Sequence, residues 1–360
     1  MDNMEFLWNN LTDKTDSGLT RYDTKMLQGL SVLAMVVLHL FDRVDFQGLY
    51  TPLLYLAGKP VIFYFAQLSD FCVMGFAFCS GYGLYKKYMC VGGGQTKKYY
   101  NGRLKGILKL LVNYWLILIG FTGLSMLIGN GNQMPGTLWQ FIGNVTTFDT
   151  SYNGAWWYLF VYILLVLISS FIFRCSNRLP DCVTFAVSFI IYSSAYYVRF
   201  SISDKNWFLT KYGLIGMTFF EFIIGMLACK GMWIEKIKCY ITKRMCIWKR
   251  VILSSGLLIG ILIGHTLVIP SLFVAPFTGG IIIGVFSIWE KPEWIKNVFL
   301  FLGKQSTNIW LIHMFFYQYI FVNLVFVGQY PLIILTIMMC LAIICSMGIN
   351  YVMKKMFKSI

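Results

Sequence analysis

Apolar stretches of membrane length alternate with short polar connections along almost the whole chain. A helix needs about 20 apolar residues to cross a hydrocarbon layer ~30 Å thick, at a rise of ~1.5 Å per residue. Lipid offers no partner to backbone N–H and C=O groups, so such runs predict helices rather than open strands. The pattern predicts an all-α polytopic membrane protein of about ten transmembrane helices. They fall over residues 25–41, 61–84, 106–128, 155–174, 182–199, 208–229, 251–268, 271–288, 306–328 and 331–352. Segments 48–58 and 136–148 are short and rich in aromatic, Gly or Pro residues, and predict interfacial pieces.

Charge refines this picture. Of 360 residues, 58% are hydrophobic and 12% charged, and a soluble domain carries roughly twice that charged share. The net charge of +15 suggests a polyanion partner until its distribution is read. All but five of the 30 Lys and Arg residues lie in alternate loops, the exceptions being Arg43, Lys59, Arg199, Lys205 and Lys211. The positive-inside rule accounts for that asymmetry, puts both termini in the cytoplasm, and leaves no need for nucleic acid. The expected location is the cell (cytoplasmic) membrane, with the lipid bilayer as the surrounding partner. Residues 1–22 lack the apolar core of a signal peptide, so the first helix is expected to anchor uncleaved. The expected organisation is a short cytoplasmic segment at 1–24, a membrane-embedded domain at 25–352 and a basic cytoplasmic tail at 353–360. No internal repeat is evident. Ten cysteines are scattered without a CxxC pair, which argues against a zinc site or a disulfide framework, and no metal site is expected.

The first apolar run, "TKMLQGLSVLAMVVLHLFDR", holds unusual chemistry. At 100° per residue Gln28 and His39 lie about 20° apart, and Lys25 and His39 about 40° apart. One helix stripe thus carries a cation, an amide and an imidazole, with about 16 Å of rise between Gln28 and His39. Asp42 follows His39 by three residues, a spacing suited to orienting its ring. Ionisable groups at membrane depth are costly and commonly line a functional cavity or a partner network. Only two other histidines exist: His265, expected at an interface before a proline, and His313, inside the ninth predicted span. Asp70 and Glu221 also fall in apolar segments and are expected to be functional or paired.

Five segments, taken in order, resemble the acyltransferase 3 family of integral membrane O-acyltransferases. They are "QGLSVLAMVVLH", "GFAFCSGYGLYKKY", "YYNGRLKGILKLLVNYW", "GAWWYLFVYILL" and "LGKQSTNIWLIHMFF", spread over roughly 20–325. The family's first motif opens on arginine, and this chain has Gln28 there, with Lys25 one turn earlier as the available cation. The resemblance implies transfer of an acyl group, most often acetyl, from cytoplasmic acyl-CoA to a hydroxyl of an envelope polysaccharide or lipid-linked sugar. Acyl-CoA is then a donor substrate, and no bound cofactor is implied. On this reading His39 is the general base and Asp42 its orienting carboxylate, with an acyl-histidine relay as the alternative. Lys25, Gln28, Lys86, Lys87 and Arg103 are expected to hold the donor, whose phosphates suit lysine and arginine. Ser80, Tyr82, His313 and Trp156 are expected to contact substrate, the tryptophan by stacking on a sugar. A transporter or flippase of a sugar or lipid-linked glycan is the competing reading; it calls for mirrored halves around a midplane site.

Overall fold

Thr20 opens the first helix with a reciprocal cap: its hydroxyl accepts the Asp23 amide, and the Asp23 carboxylate accepts the Thr20 amide. The computed structural model describes residues 18–43, 48–93, 96–129, 134–265 and 272–358. Helix α1 (Arg21–Phe41) is followed by a small antiparallel hairpin, β1 (Tyr55–Leu56) and β2 (Lys59–Pro60). Helix α2 (Val61–Leu68) continues through a 3-10 turn into α3 (Cys72–Cys90). Next come α4 (Thr96–Leu127), the short α5 (Leu138–Val145), α6 (Trp157–Arg178), α7 (Asp181–Ser201) and α8 (Trp207–Lys230). The remainder is α9 (Trp233–Arg244), α10 (Ile247–Ile263), α11 (Ala275–Ile288), α12 (Glu293–Met314), α13 (Val322–Phe326) and α14 (Pro331–Lys358).

Among the described residues, seven helices are long and apolar enough to cross a membrane, fewer than the ten expected. They are Arg21–Phe41, Val61–Cys90, Lys97–Leu127, Gly154–Arg178, Asp181–Ser201, Trp207–Lys230 and Pro331–Phe357. The other three predicted spans are helical but differ in kind. Helix α10 has 17 residues and carries Lys249 and Arg250 near its start. The apolar helix at 272–288 is short, and part of the predicted span at 251–268 lies outside the described residues. Helix α12 begins in polar sequence, with Glu293, Lys296 and Lys304, so its apolar length is interrupted. Segment 48–58 holds the first strand of the hairpin, whose second strand follows at once, and segment 136–148 holds α5.

Small residues set how closely the helices meet. A Cβ on Gly29 would overlap the Phe299 carbonyl oxygen, and one on Gly303 would overlap the Lys25 carbonyl oxygen. Helices α1 and α12 therefore touch backbone to backbone, which maximises dispersion where lipid supplies no hydrophobic drive. Gly81 against Phe222 and Gly225 against Phe78 bring α3 and α8 together in the same way. Ser31 of α1 meets Gly75 of α3, and Tyr82 reaches the Leu19 amide, so these two helices run antiparallel. Toward the other flank Asn308 of α12 bonds Asn113 of α4 and Asn350 of α14, with Gln305 joined to Ser346 and Asn350. Interhelical amide bonds of this kind are worth about 0.6–2 kcal/mol each in a membrane.

Replacing Gly303 by valine is expected to force α1 and α12 apart at a cost of about 1–3 kcal/mol, the range for overpacking. Gly284 has nothing within 4 Å of an added Cβ and is the control. Thermal melting of the two purified variants in detergent checks this; equal melting temperatures would refute the close packing.

Candidate active site

His39 lies ten residues beyond Gly29, and His313 ten residues beyond Gly303. Two helices that touch at those glycines and run the same way bring both rings to one height, about 15 Å past the crossing. There His39 Nδ1 and His313 Nε2 stand 2.9 Å apart, with ring centroids 4.9 Å apart. Tyr317 stacks beside both rings, at 6.4 Å and 6.1 Å between centroids.

The hydrogen bonds fix the tautomers. His313 is fully buried, and its Nδ1 is 2.8 Å from the Trp310 carbonyl oxygen. A carbonyl only accepts, so His313 Nδ1 carries the hydrogen. A buried ring away from acids stays neutral, which leaves His313 Nε2 as an acceptor. His39 Nδ1 must then be the donor, and the lone pair of His39 resides on Nε2. A base nitrogen is presented by a chain of three groups: Trp310 carbonyl, His313 and His39.

The chain around Trp310 is itself clamped. Helix α12 widens into a π-helical turn at Phe315–Ile320, and the Phe315 amide turns to the Ile312 and His313 carbonyls. The Leu311 carbonyl instead accepts Asn153 Nδ2 and Trp156 Nε1, each at 2.9 Å. Trp310 Nε1 donates back to the Ala155 carbonyl at 2.9 Å. Asn153 also caps the 3-10 turn Gly154–Trp156 through its Oδ1. Three bonds thus lock the start of α6 to the turn that carries His313. An inserted π turn of this sort is often found at functional sites.

The opposite end of α1 is basic. Lys25 Nζ donates to Gln28 Oε1 at 2.9 Å and reaches the Gly303 carbonyl at 3.5 Å. Lys25 and Gln28 are therefore joined, and the lysine's partners are neutral oxygens. Lys86 donates to the Leu19 carbonyl at 3.3 Å, while Lys87 is electrostatically coupled to Arg103 and Arg21. Arg103 lies over the Tyr99 ring at 5.9 Å, and its Nε is buried without a hydrogen-bond partner.

Other expected site residues stand elsewhere or are already engaged. Asp42 is exposed and makes no side-chain hydrogen bond or ion pair among the described residues, and His313 occupies the ring nitrogen it was expected to orient. The reason is reach: α1 ends at Phe41, and Asp42 turns out of the helix as its C-cap. Tyr82 accepts the Leu19 amide at 2.8 Å and donates to Glu235 at 3.2 Å, so it anchors the N-terminal segment rather than facing a substrate. Trp156 is fully buried between Tyr114 and Phe315, with no ring face left for a sugar. Ser80 bonds the Phe76 carbonyl of its own helix. His265, expected at an interface, is 4% exposed and pairs with Asp70 at 2.9 Å. Glu221 is buried with Oε2 unpartnered. Sequence reasoning missed Trp310, Asn153 and Tyr317. Asn153 had a signal, a capping residue directly before a helix; a backbone carbonyl such as that of Trp310 has none. Among the described residues no group of three His, Cys, Asp or Glu side chains is placed to hold a metal ion.

No curated protein and no solved structure is significantly similar to the chain. A family model described as an acyltransferase domain matches residues 22–351, which takes in the histidine pair, the basic end of α1 and the clamp on α12. The protein is a multi-pass membrane acyltransferase and belongs to that family.

Proposed function

We propose that this chain transfers an acyl group, acetyl in the simplest case, from cytoplasmic acyl-CoA to a hydroxyl of an envelope polysaccharide or lipid-linked sugar. The observation that carries the reading is the 2.9 Å contact between His39 Nδ1 and His313 Nε2, with His313 held in turn at the Trp310 carbonyl. In this reading both termini are cytoplasmic, in the cell membrane, and the Lys25 end of α1 faces the donor. Lys25, Arg21, Lys87 and Arg103 then meet the phosphates of CoA, and the thioester reaches upward along α1. Gln28 holds the Lys25 ammonium, so the charge that the resemblance led one to seek at position 28 sits one turn earlier.

The chemistry is general-base acyl transfer. His39 Nε2 takes the proton of the acceptor hydroxyl as its oxygen attacks the thioester carbonyl. The C–S bond breaks on collapse of the tetrahedral intermediate, and the imidazolium returns its proton to the CoA thiolate. During that interval the charge on His39 is stabilised by the bond from Nδ1–H to His313 Nε2. His313 is a positioning residue, in the role a carboxylate fills in other base–orienter pairs, and as a neutral group it stabilises the imidazolium less.

His39→Ala is expected to lower acyl transfer from radiolabelled acetyl-CoA by about 10²–10⁴-fold at equal protein level. Undiminished label would remove the imidazole from the reaction. His313→Ala is expected to cost less, about 10–10²-fold in kcat, because the base remains while its tautomer is freed. His313→Gln, whose amide oxygen can accept from Nδ1–H, should recover part of that loss; equal activity of the two variants would refute positioning. Lys25→Met is expected to raise KM for acyl-CoA about tenfold with kcat little changed, the worth of one charge-assisted bond. Steady-state kinetics over a range of donor concentrations separates the two parameters.

A further inference from the structure

Two cations at the His39 end of the bundle form no ion pair among the described residues. Helices α1 and α3 are antiparallel. The ends of α3 and α8 both meet the end of α6, through Tyr85 to Asn177 and Lys230 to Ser176, so α3 and α8 run the same way and the start of α8 lies at the end where His39 sits. There Lys211 is 8% exposed, with its ammonium 4.9 Å from the Phe160 ring centroid and 5.5 Å from that of Trp207. The Arg199 guanidinium lies 5.8 Å from Trp157 and 5.3 Å from Phe200. Gly213 makes room for this approach, since an added Cβ would stand 3.0 Å from the Arg199 Cβ.

Neither cation forms an ion pair among the described residues. Arg199 has a sulfur contact to Met217 at 3.8 Å and is electrostatically coupled to Glu221 without touching it. Lys211 is coupled to Asp149, whose carboxylate is taken up by the amide and hydroxyl of Ser151. Burying an ammonium without an anion is costly, and aromatic faces offset only ~0.5–2 kcal/mol of that. The two charges also run against the topology trend, being among the five Lys and Arg outside the basic loops.

The same turn of α6 serves both places. Trp157 and Phe160 are three residues apart and share one face, on which the cations rest. Trp156 and Ala155, just before them, bond the Leu311 carbonyl and Trp310 Nε1 beside the histidine pair. The cations and the histidine pair are thus linked through one short stretch of chain, residues 155–160. Lys211 is recessed behind the Phe160 and Trp207 rings, whereas a lipid headgroup meets side chains exposed at a bundle's rim.

We propose that Arg199 and Lys211, backed by Trp157, Phe160 and Trp207, bind the oxyanion of an anionic saccharide, and that this group is the anionic portion of the acceptor. The word acceptor rests on the acyl-transfer reading above; the binding site does not.

The test is direct binding, without acyl donor, to the full chain in phosphatidylcholine nanodiscs. Glucose 1-phosphate and glucuronate are the anionic probes, glucose the neutral one. Binding of at least one anionic probe is expected, weakening at higher salt, with glucose at least about tenfold weaker. Lys211→Gln and Arg199→Gln should each weaken it about tenfold, Lys211→Arg and Arg199→Lys should keep most of it, and Lys59→Gln should not alter it. Melting curves of the charge-retaining variants guard against misfolding. No binding, equal binding by the glutamine variants, or full displacement by phosphatidylglycerol in the disc would each overturn the proposal, the last by making this a lipid headgroup site. Because no thioester is present, a failure here is separate from a failure of acyl transfer, which the His39 variant reads.

Discussion

The contact between Gly29 and Gly303 is the constraint on which the site depends. Only hydrogen at these positions lets the α1 and α12 backbones meet, and each histidine then stands ten residues along its own parallel helix. The hydrogen bond between His39 and His313 is a consequence of that shared spacing. A side chain at either glycine displaces one helix by more than a hydrogen bond tolerates, since bonds between ring nitrogens weaken steeply beyond ~3.2 Å. The base is thus positioned by packing some 15 Å away. The Asn153 and Trp156 bonds to Leu311 then fix the far end of the same segment.

A neutral histidine pair suits a membrane interior better than a histidine–carboxylate pair. A permanent carboxylate at that depth needs compensation from bonds or cations, and its burial alone is expensive. His313 and a backbone carbonyl supply direction without fixed charge, so the resting site is uncharged and only the transient imidazolium needs stabilising. The bundle does tolerate a buried acid elsewhere: Asp70 is held against His265 by a short bond. That pair joins the 3-10 turn between α2 and α3 to residues just past α10.

Much of this was legible in the sequence. Helical, multi-pass architecture followed from apolar runs of membrane length, and the basic clusters marked one end of the helices. His39, Gln28 and Lys25 shared a predicted stripe, and the bond from Lys25 to Gln28 agrees with it. Three of the ten predicted spans are not matched by helices of full membrane length among the described residues, because periodicity and hydropathy do not distinguish a 17-residue helix with a basic start from a full crossing. Asp42 was read as the orienter because three residues is a helical spacing, but the helix ends before it. The true partner of His39 lies 274 residues away along the chain, and no local pattern signals such a contact. Trp156 was read as a sugar-stacking ring for similar reasons: whether a tryptophan at that entry turns inward or outward is a choice set by where α6 meets α12.

That last choice bears on how the molecule divides its labour. Two neighbouring pieces make these contacts: the 3-10 turn Gly154–Trp156 and the first turn of α6 that follows it. Ala155 and Trp156 grip α12 through backbone and indole bonds, holding the segment that orients the base. Trp157 and Phe160 face the recessed Arg199 and Lys211. One short segment therefore joins the placement of the base to that of two cations that form no ion pair among the described residues. On the proposed reading, a saccharide held by its anion at those cations is positioned from a rigid helix entry rather than from a loop. Rigid positioning of that kind removes orientational freedom before reaction, which is where binding energy contributes to rate.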